Sequence, residues 1–309
     1  MANETTLSTA AEFRLASVIP ALQDLLLEEA RPAMVMKPFV KEHSIVDSPS
    51  NVLDIPVLND TGAASSLAEA TAGSNTAINP TEISITVGKY AQIYAITDEV
   101  VTSQFWGNAP IGDLTNALLS PAIMDKLMPY IQVGGRALAE AVDNALCALL
   151  GSHTDTVGTS GSDLTHTQFL TAMYELQNND AKGQKIAVLH PIQVHDLRVA
   201  LGVGQTSQSP LLVQAGQKFI NDTTLYGYCG NLHGVEVFET TLVPTANTGA
   251  NRAGGMFINQ WTYGLAIKWY PKIEFERQGK SFLTDIICSI SFGVGEMRDG
   301  FGVSIITDA

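Results

Sequence analysis

From Val52 to Leu58 apolar and polar side chains alternate, and the alternation resumes from Ile83 to Ala95. Ile83, Ile85, Val87, Lys89, Ala91, Ile93 and Ala95 fall on one side, and Ser84, Thr86, Gly88, Tyr90, Gln92 and Tyr94 on the other. A period of two is that of a half-buried strand. Pro56 has no N–H to give to a ladder, which puts the first strand at a sheet edge. The two segments predict a hairpin joined by residues 59–82, a connection longer than the roughly 15 residues at which a structureless loop becomes suspect in a compact domain. A lone two-stranded ribbon is marginal in water. Either the arm is floppy, or copies of the protein cover one another's arms.

The rest of the chain mixes both periods. Ile19 to Ala30 spaces Ile19, Leu22, Leu25 and Leu26 as a short amphipathic helix, an arm with one apolar face. The strongest helical pattern runs from Pro129 to Leu150, with Ile131, Gly135, Leu138, Val142, Ala145 and Leu149 at alternating spacings of four and three. Ala141, Leu146 and Ala148 widen that face, and Arg136, Glu140 and Asp143 are expected opposite it. At 1.5 Å per residue such a helix is about 33 Å long. Residues 152–163 read as a small-residue loop, Thr165 to Asn179 as a helix, Lys185 to Leu189 as a strand, and His190-Pro191 as the start of a helix through Ala200. After a Gly, Gln and Ser stretch at 202–209, short strands are expected from Leu225 to Leu242, with turns at Gly230-Asn231 and His233-Gly234. Alternating residues from Ile286 to Val294, a turn at Arg298-Asp-Gly300 and a strand from Val303 to Ile306 close the chain. Strands and helices without a regular βαβ repeat indicate an α+β fold.

Charge narrows the function. The 309 residues carry 17 basic and 31 acidic side chains, a net charge of −14, with 5 of the basic and 13 of the acidic ones in the first hundred residues. Without clustered Lys and Arg, tight gripping of a phosphate backbone is excluded. Only 16% of residues are charged, fewer than the usual ~25%, so much of the surface is expected to be covered by partners. Cys147, Cys229 and Cys288 are odd in number and far apart, which predicts reduced, buried thiols. The start lacks a basic and apolar leader and no run is long enough to span a membrane, so synthesis in the cytoplasm and no membrane contact are expected.

Candidate chemistry is sparse. His190 and His195 are not at the i, i+4 spacing that puts two imidazoles on one helical face, and they read as a helix start and a surface residue. Cys229 and His233 flank a turn, with no third group to make a nucleophile. Gly202-Val-Gly204 and Gly293-Val-Gly295 lack the remaining elements of a phosphate loop and read as flexible or bulged backbone. Asp285, Glu296 and Asp299 could pair as carboxylates but read as solvated strand ends. Trp261, Tyr263, Trp269 and Tyr270 lack interleaved cations, so core packing is preferred to base stacking. No catalytic residue, cofactor or metal site is expected.

Several stretches, in order, resemble the major capsid protein of tailed bacteriophages, the Hong Kong 97-type fold. They are Ile83-Ser-Ile-Thr-Val87 with Tyr94-Ala-Ile-Thr-Asp-Glu99, Ala139-Glu-Ala-Val-Asp143 with Leu149-Leu-Gly151, Gly230 to Pro244, and Tyr263-Gly-Leu-Ala-Ile267 ahead of Ile273-Glu-Phe-Glu-Arg277. The resemblance implies an N-terminal arm (1–50), an extended loop (51–97) and a peripheral domain (98–180) with its spine helix at 129–151. It further implies an axial domain (181–255) and a return to the peripheral domain (256–309). It implies an icosahedral head shell of hexamers and pentamers enclosing double-stranded DNA, in a virion assembled in the bacterial cytoplasm, with portal and scaffolding or decoration proteins as partners. Lys89 is the one lysine between 52 and 96 and lies in the strand, so the Lys–Asn cross-link of some family members is not carried over. Ile19, Leu22, Leu26, Ile55, Val57, Ile83, Ile85, Val87, Tyr90 and Tyr94 are the assembly candidates. The alternatives are an encapsulin-type nanocompartment shell and a soluble α+β enzyme with a lid at 59–82.

Overall fold

The computed structural model describes residues 34–46, 48–58, 80–97, 121–201, 227–249 and 251–308, with single positions at 26, 66 and 69. The strands β1 (Lys41–Ser44), β2 (Val52–Leu58), β3 (Pro80–Thr86) and β4 (Gly88–Thr97) precede the long helix α1 (Pro121–Ala148). Next come β5 (Thr156–Val157), α2 (His166–Asn178), β6 (Lys185–Leu189), α3 (Pro191–Ala200), β7 (Tyr228–Leu232) and β8 (Val235–Glu239). β9 (Thr245–Ala246), β10 (Asn251–Ile258), β11 (Tyr263–Gln278), β12 (Leu283–Glu296) and β13 (Gly302–Asp308) complete the chain. The expectations for Ile19 and Leu22, for most of 59–79 and for 202–209 lie outside the described residues.

Three sheets result. A four-stranded sheet runs β1-β11-β12-β4, a seven-stranded sheet runs β5-β13-β10-β6-β8-β7 with β9 beside β10, and β2 and β3 form a separate ribbon. The larger sheet is mixed, since β6–β8 and β5–β13 are parallel while β10 is antiparallel to both β6 and β13. Alternation sorts its side chains. Ile186, Val188 and Phe257 join the core that contains α1, whereas Ala187, Leu189, Met256 and Ile258 face Phe169, Leu176, Val194 and Leu197 of α2 and α3. The seven-stranded sheet is thus covered on both faces.

The two short helices start where capping chemistry dictates. Thr165 and Gln168 form a reciprocal capping box at α2, and His190 with Gln193 does the same at α3, where Pro191 occupies the first turn. Gln193 then donates its buried amide to Arg252 O, Ile305 O and Thr307 Oγ1, tying α3 to β10 and β13.

The structure corrects several expectations. Helix α1 has 28 residues and starts at Pro121, so Pro129 lies inside it; at 1.5 Å per residue it is about 42 Å long. Asp143 is not on its exposed face: its relative exposure is 0%. The carboxylate accepts the backbone N–H of Val35 at 2.8 Å and of Met36 at 2.9 Å, holding the segment before β1 against the helix. Gly230-Asn231 sits within β7, at a register shift against β8, and the turn is His233-Gly234, both at positive φ. The final strand does not return with β11 and β12. It crosses to the seven-stranded sheet, on which α2 packs too.

The largest correction concerns the hairpin. The expected single strand from Ile83 to Ala95 is broken at Val87. β3 pairs with β2 in the ribbon, while β4 pairs with β12 in the four-stranded sheet. The buried side inverts at the break: Ile85 and Val87 are buried before it, and Tyr94 and Ile96 turn inward after it, leaving Ile93 55% exposed. A change of pairing partner, not a change of composition, causes the switch.

Candidate assembly surface

The root of the ribbon is built into the subunit. Ile85 and Val87 form a small core with Ile45 and Ala266, against which Leu53 and Ile55 pack. The floor is glycine, because Ile85 fills the space a side chain would take: a Cβ on Gly295 would lie 2.7 Å from Ile85 Cγ1, and one on Gly293 would lie 2.3 Å from Thr86 O. Gly293-Val-Gly295 is thus regular strand used for close approach, not mobile backbone. Replacing Gly295 by valine is expected to destabilise the chain by about 2 kcal/mol, an overpacking cost, and to make the ribbon root cleavable in limited proteolysis. An unchanged cleavage pattern would show that the root is held by something else.

Further out, the ribbon opens away from its support. Ile55, Pro56 and Val57 line a cleft of about 250 Å³ whose other wall is Lys41, Gln260, Trp261, Met297 and Arg298. Asp54 and Ser84 are exposed and joined by a 2.6 Å hydrogen bond across the ribbon. Among the described residues no strand pairs with the outer edge of either β2 or β3, and β4 likewise ends its sheet. An unpaired edge offers N–H and C=O groups to another chain. On β4 that edge carries Tyr90, 43% exposed with its ring stacked on Phe292 at 4.4 Å, and Ile93.

The assembly candidates divide accordingly. Leu26, Ile85 and Val87 are buried in the subunit's own core and have no surface to offer a neighbour. Ile55, Val57, Ile83 and Tyr94 are half-buried, Tyr94 against Tyr130, and Tyr90 is exposed. Ile93, Trp261, Tyr270 and Phe282 are not among those candidates, yet all are exposed, Trp261 and Tyr270 against the expectation of core packing. Of the four late aromatics only Tyr263 is fully buried; Tyr270 donates its hydroxyl to Glu42, and the Trp269 ring has the ammonium groups of Lys89 and Lys272 each 5.4 Å from its centre.

The remaining candidate chemistry resolves into structural parts. His190 caps α3 and His195 is exposed beside Asp196. His233 faces His166 with 2.8 Å between their Nε2 atoms. Asp285, expected to be solvated, is buried and accepts the amide of Gln278. All three cysteines are buried and free. Burial pushes the Cys288 thiol up to about 11; burial, helped by Glu239, pushes Cys229 to about 12; burial and then Asp143 raise Cys147 as well. A thiol reagent at pH 8 is expected to label none of them in the native protein and all three after denaturation. Native labelling at any one would mean that its cover opens. No helix among the described residues is long and apolar enough to cross a membrane.

Comparison with known proteins gives the architecture its relatives. No protein-family model matches the sequence, and no curated protein matches it. Solved structures do. A chain of Mycobacterium phage Che8 superposes with a TM-score of 0.64 and 16% identity, covering 88% of this chain and 90% of its own. The capsid of the cyanophage P-SCSP1u gives a TM-score of 0.59 at 15% identity, covering 89% and 88%. This chain has the Hong Kong 97-type capsid fold. A virus-like particle from Pyrococcus furiosus also matches, at a TM-score of 0.57 and 8% identity, covering 93% of this chain and 98% of that one.

Proposed function

We propose that the chain is a structural subunit, not an enzyme, which self-assembles into the icosahedral head of a tailed bacteriophage around double-stranded DNA. The observation that carries this reading is the mutual coverage of about nine-tenths with the phage capsid chains, at TM-scores near 0.6. The ribbon and the β4 edge supply contacts between copies, with Ile55, Val57, Ile83, Tyr90 and Tyr94 as their apolar element. α1 and the four-stranded sheet serve as the peripheral part, and the seven-stranded sheet as the axial part around which hexamers and pentamers close. A net charge of −14 suits a container whose contents must enter and leave, since a repelled polyanion is not held by the wall. Portal and scaffolding or decoration proteins complete the head.

Electron microscopy of the purified protein tests the proposal. Closed shells are expected, and small discrete oligomers with a rigid pocket would return the enzyme reading. The second reading, an encapsulin-type compartment, draws support from the match to the Pyrococcus furiosus particle. Portal and terminase genes beside this one favour the phage head, and a packaged protein cargo without DNA favours the compartment.

A further inference from the structure

Five residues at the junction of the two sheets form one cluster around a buried imidazole. His153 leaves the end of α1, Tyr263 opens β11, Glu296 ends β12, Asp299 lies in the turn beyond, and Gly302 opens β13. The imidazole is fully enclosed. Its Nδ1 lies 2.9 Å from Glu296 Oε1 and 3.6 Å from Asp299 Oδ1, and its Nε2 is hydrogen-bonded to the buried hydroxyl of Tyr263. Gly302 makes room for the ring, since a Cβ there would fall 2.1 Å from His153 Cε1.

Both carboxylates are anchored, Glu296 through the oxygen turned away from His153 and Asp299 through the same Oδ1 that faces it. Ser152 Oγ donates to Glu296 Oε2 at 2.9 Å, and the Thr154 N–H donates to Asp299 Oδ1 at 2.9 Å. Arg298, between them in sequence, lays its guanidinium over Trp261 and Phe301 instead. One nitrogen and two carboxylate oxygens therefore converge, all within 4.8 Å of one another. Ligands at about 2.0–2.2 Å from a common ion stand roughly 3–3.5 Å apart, which the observed 2.9 and 3.6 Å bracket.

We propose that His153 Nδ1, Glu296 and Asp299 bind one first-row divalent cation, Zn²⁺ or Mn²⁺, at the junction of the two sheets. One imidazole with two carboxylates is a mixed donor set, and it disfavours Mg²⁺ and Ca²⁺, which prefer oxygen alone. With the metal on Nδ1, the ring carries its proton on Nε2 and donates it to Tyr263, the outer-shell bond that fixes a ligating histidine. Asp299 is half exposed, so water completes the coordination from that side. The ion would clasp the exit of α1 to the crossing from β12 to β13.

The test uses the full-length chain stripped with a chelator, then given ZnCl₂ or MnCl₂ alone, with calorimetric binding and thermal melting as readouts. One ion per chain is expected, with a rise in melting temperature of about 5 °C at a hundredfold excess over Kd. Asp299→Asn and Glu296→Gln should melt within about 2 °C of the stripped wild type, yet bind at least tenfold more weakly. MgCl₂ should do neither. The proposal falls if no single equivalent binds, if Asp299→Asn and Glu296→Gln both bind as the wild type does, or if Mg²⁺ stabilises equally.

Discussion

Asp143→Ala is expected to destabilise the subunit by about 3 kcal/mol. The substitution strips the acceptor from two N–H groups, those of Val35 and Met36, of which the latter is buried, and each orphaned donor costs about 1–3 kcal/mol. Hydrogen exchange at these two amides should accelerate while the amides of β10 keep their protection, because the latch is local. Asp143→Asn retains one acceptor and should lose about half as much. The comparison also has a pH signature. Burial holds the Asp143 carboxyl above its ordinary 3.8, against the pull of the backbone N–H groups of Val35, Met36 and Lys37. Folding therefore takes up a proton: this increment of stability is complete below 3.8 and disappears as pH rises through the raised value. The deficit of Asp143→Asn relative to wild type should widen as pH falls from 7 toward 4. A pH-independent difference in urea midpoints would mean that the carboxyl is not shifted.

Deleting residues 61–79 is expected to abolish shell formation while leaving the subunit folded. The last ladder pair of the ribbon is Leu58 with Pro80, so the deletion leaves Asn59-Asp60 as a two-residue loop, a length and composition that suit a tight hairpin turn. The root at Ile85 is untouched, and the melting temperature should stay within about 2 °C of wild type when both are measured as unassembled subunits. What is lost is reach, and weak contacts multiplied over many copies are what assembly depends on. If the shortened chain instead loses its cooperative transition, the tip belongs to the subunit's own core; if it still forms shells, the ribbon is not the linking element.

Local signals were legible in the sequence and distant ones were not. The starts of α2 and α3 could be read because a capping box is written in four consecutive residues, Thr165 to Gln168 and His190 to Gln193. The strand β6 could be read because an apolar run bounded by turn residues needs no partner to be recognised. The break at Val87 could not. Ile93 and Tyr94 are both compatible with burial, so the alternation continues on paper although the partner strand has changed from β2 to β12. Asp143 was misplaced because helical periodicity assigns a carboxylate outward, and its partners lie 107 and 108 residues away. The same distance hid His153, whose neighbours Tyr263 and Glu296 are 110 and 143 residues removed. Of the proposed assembly surface, the ribbon was visible as a hairpin without enough cover, while the exposed edge at Ile93 emerged only with the sheet order.

β3 and β4 are separated by Val87 alone, with no loop to absorb displacement. Tension on the ribbon, exerted by whatever grips its far end, is thereby delivered straight to the border strand of the four-stranded sheet, where Tyr94 and Ile96 rest against the core that holds α1. Each molecule in a closed lattice would sense the pull of the next through its own longest helix, and mechanical load would be shared along the wall instead of stopping at one joint.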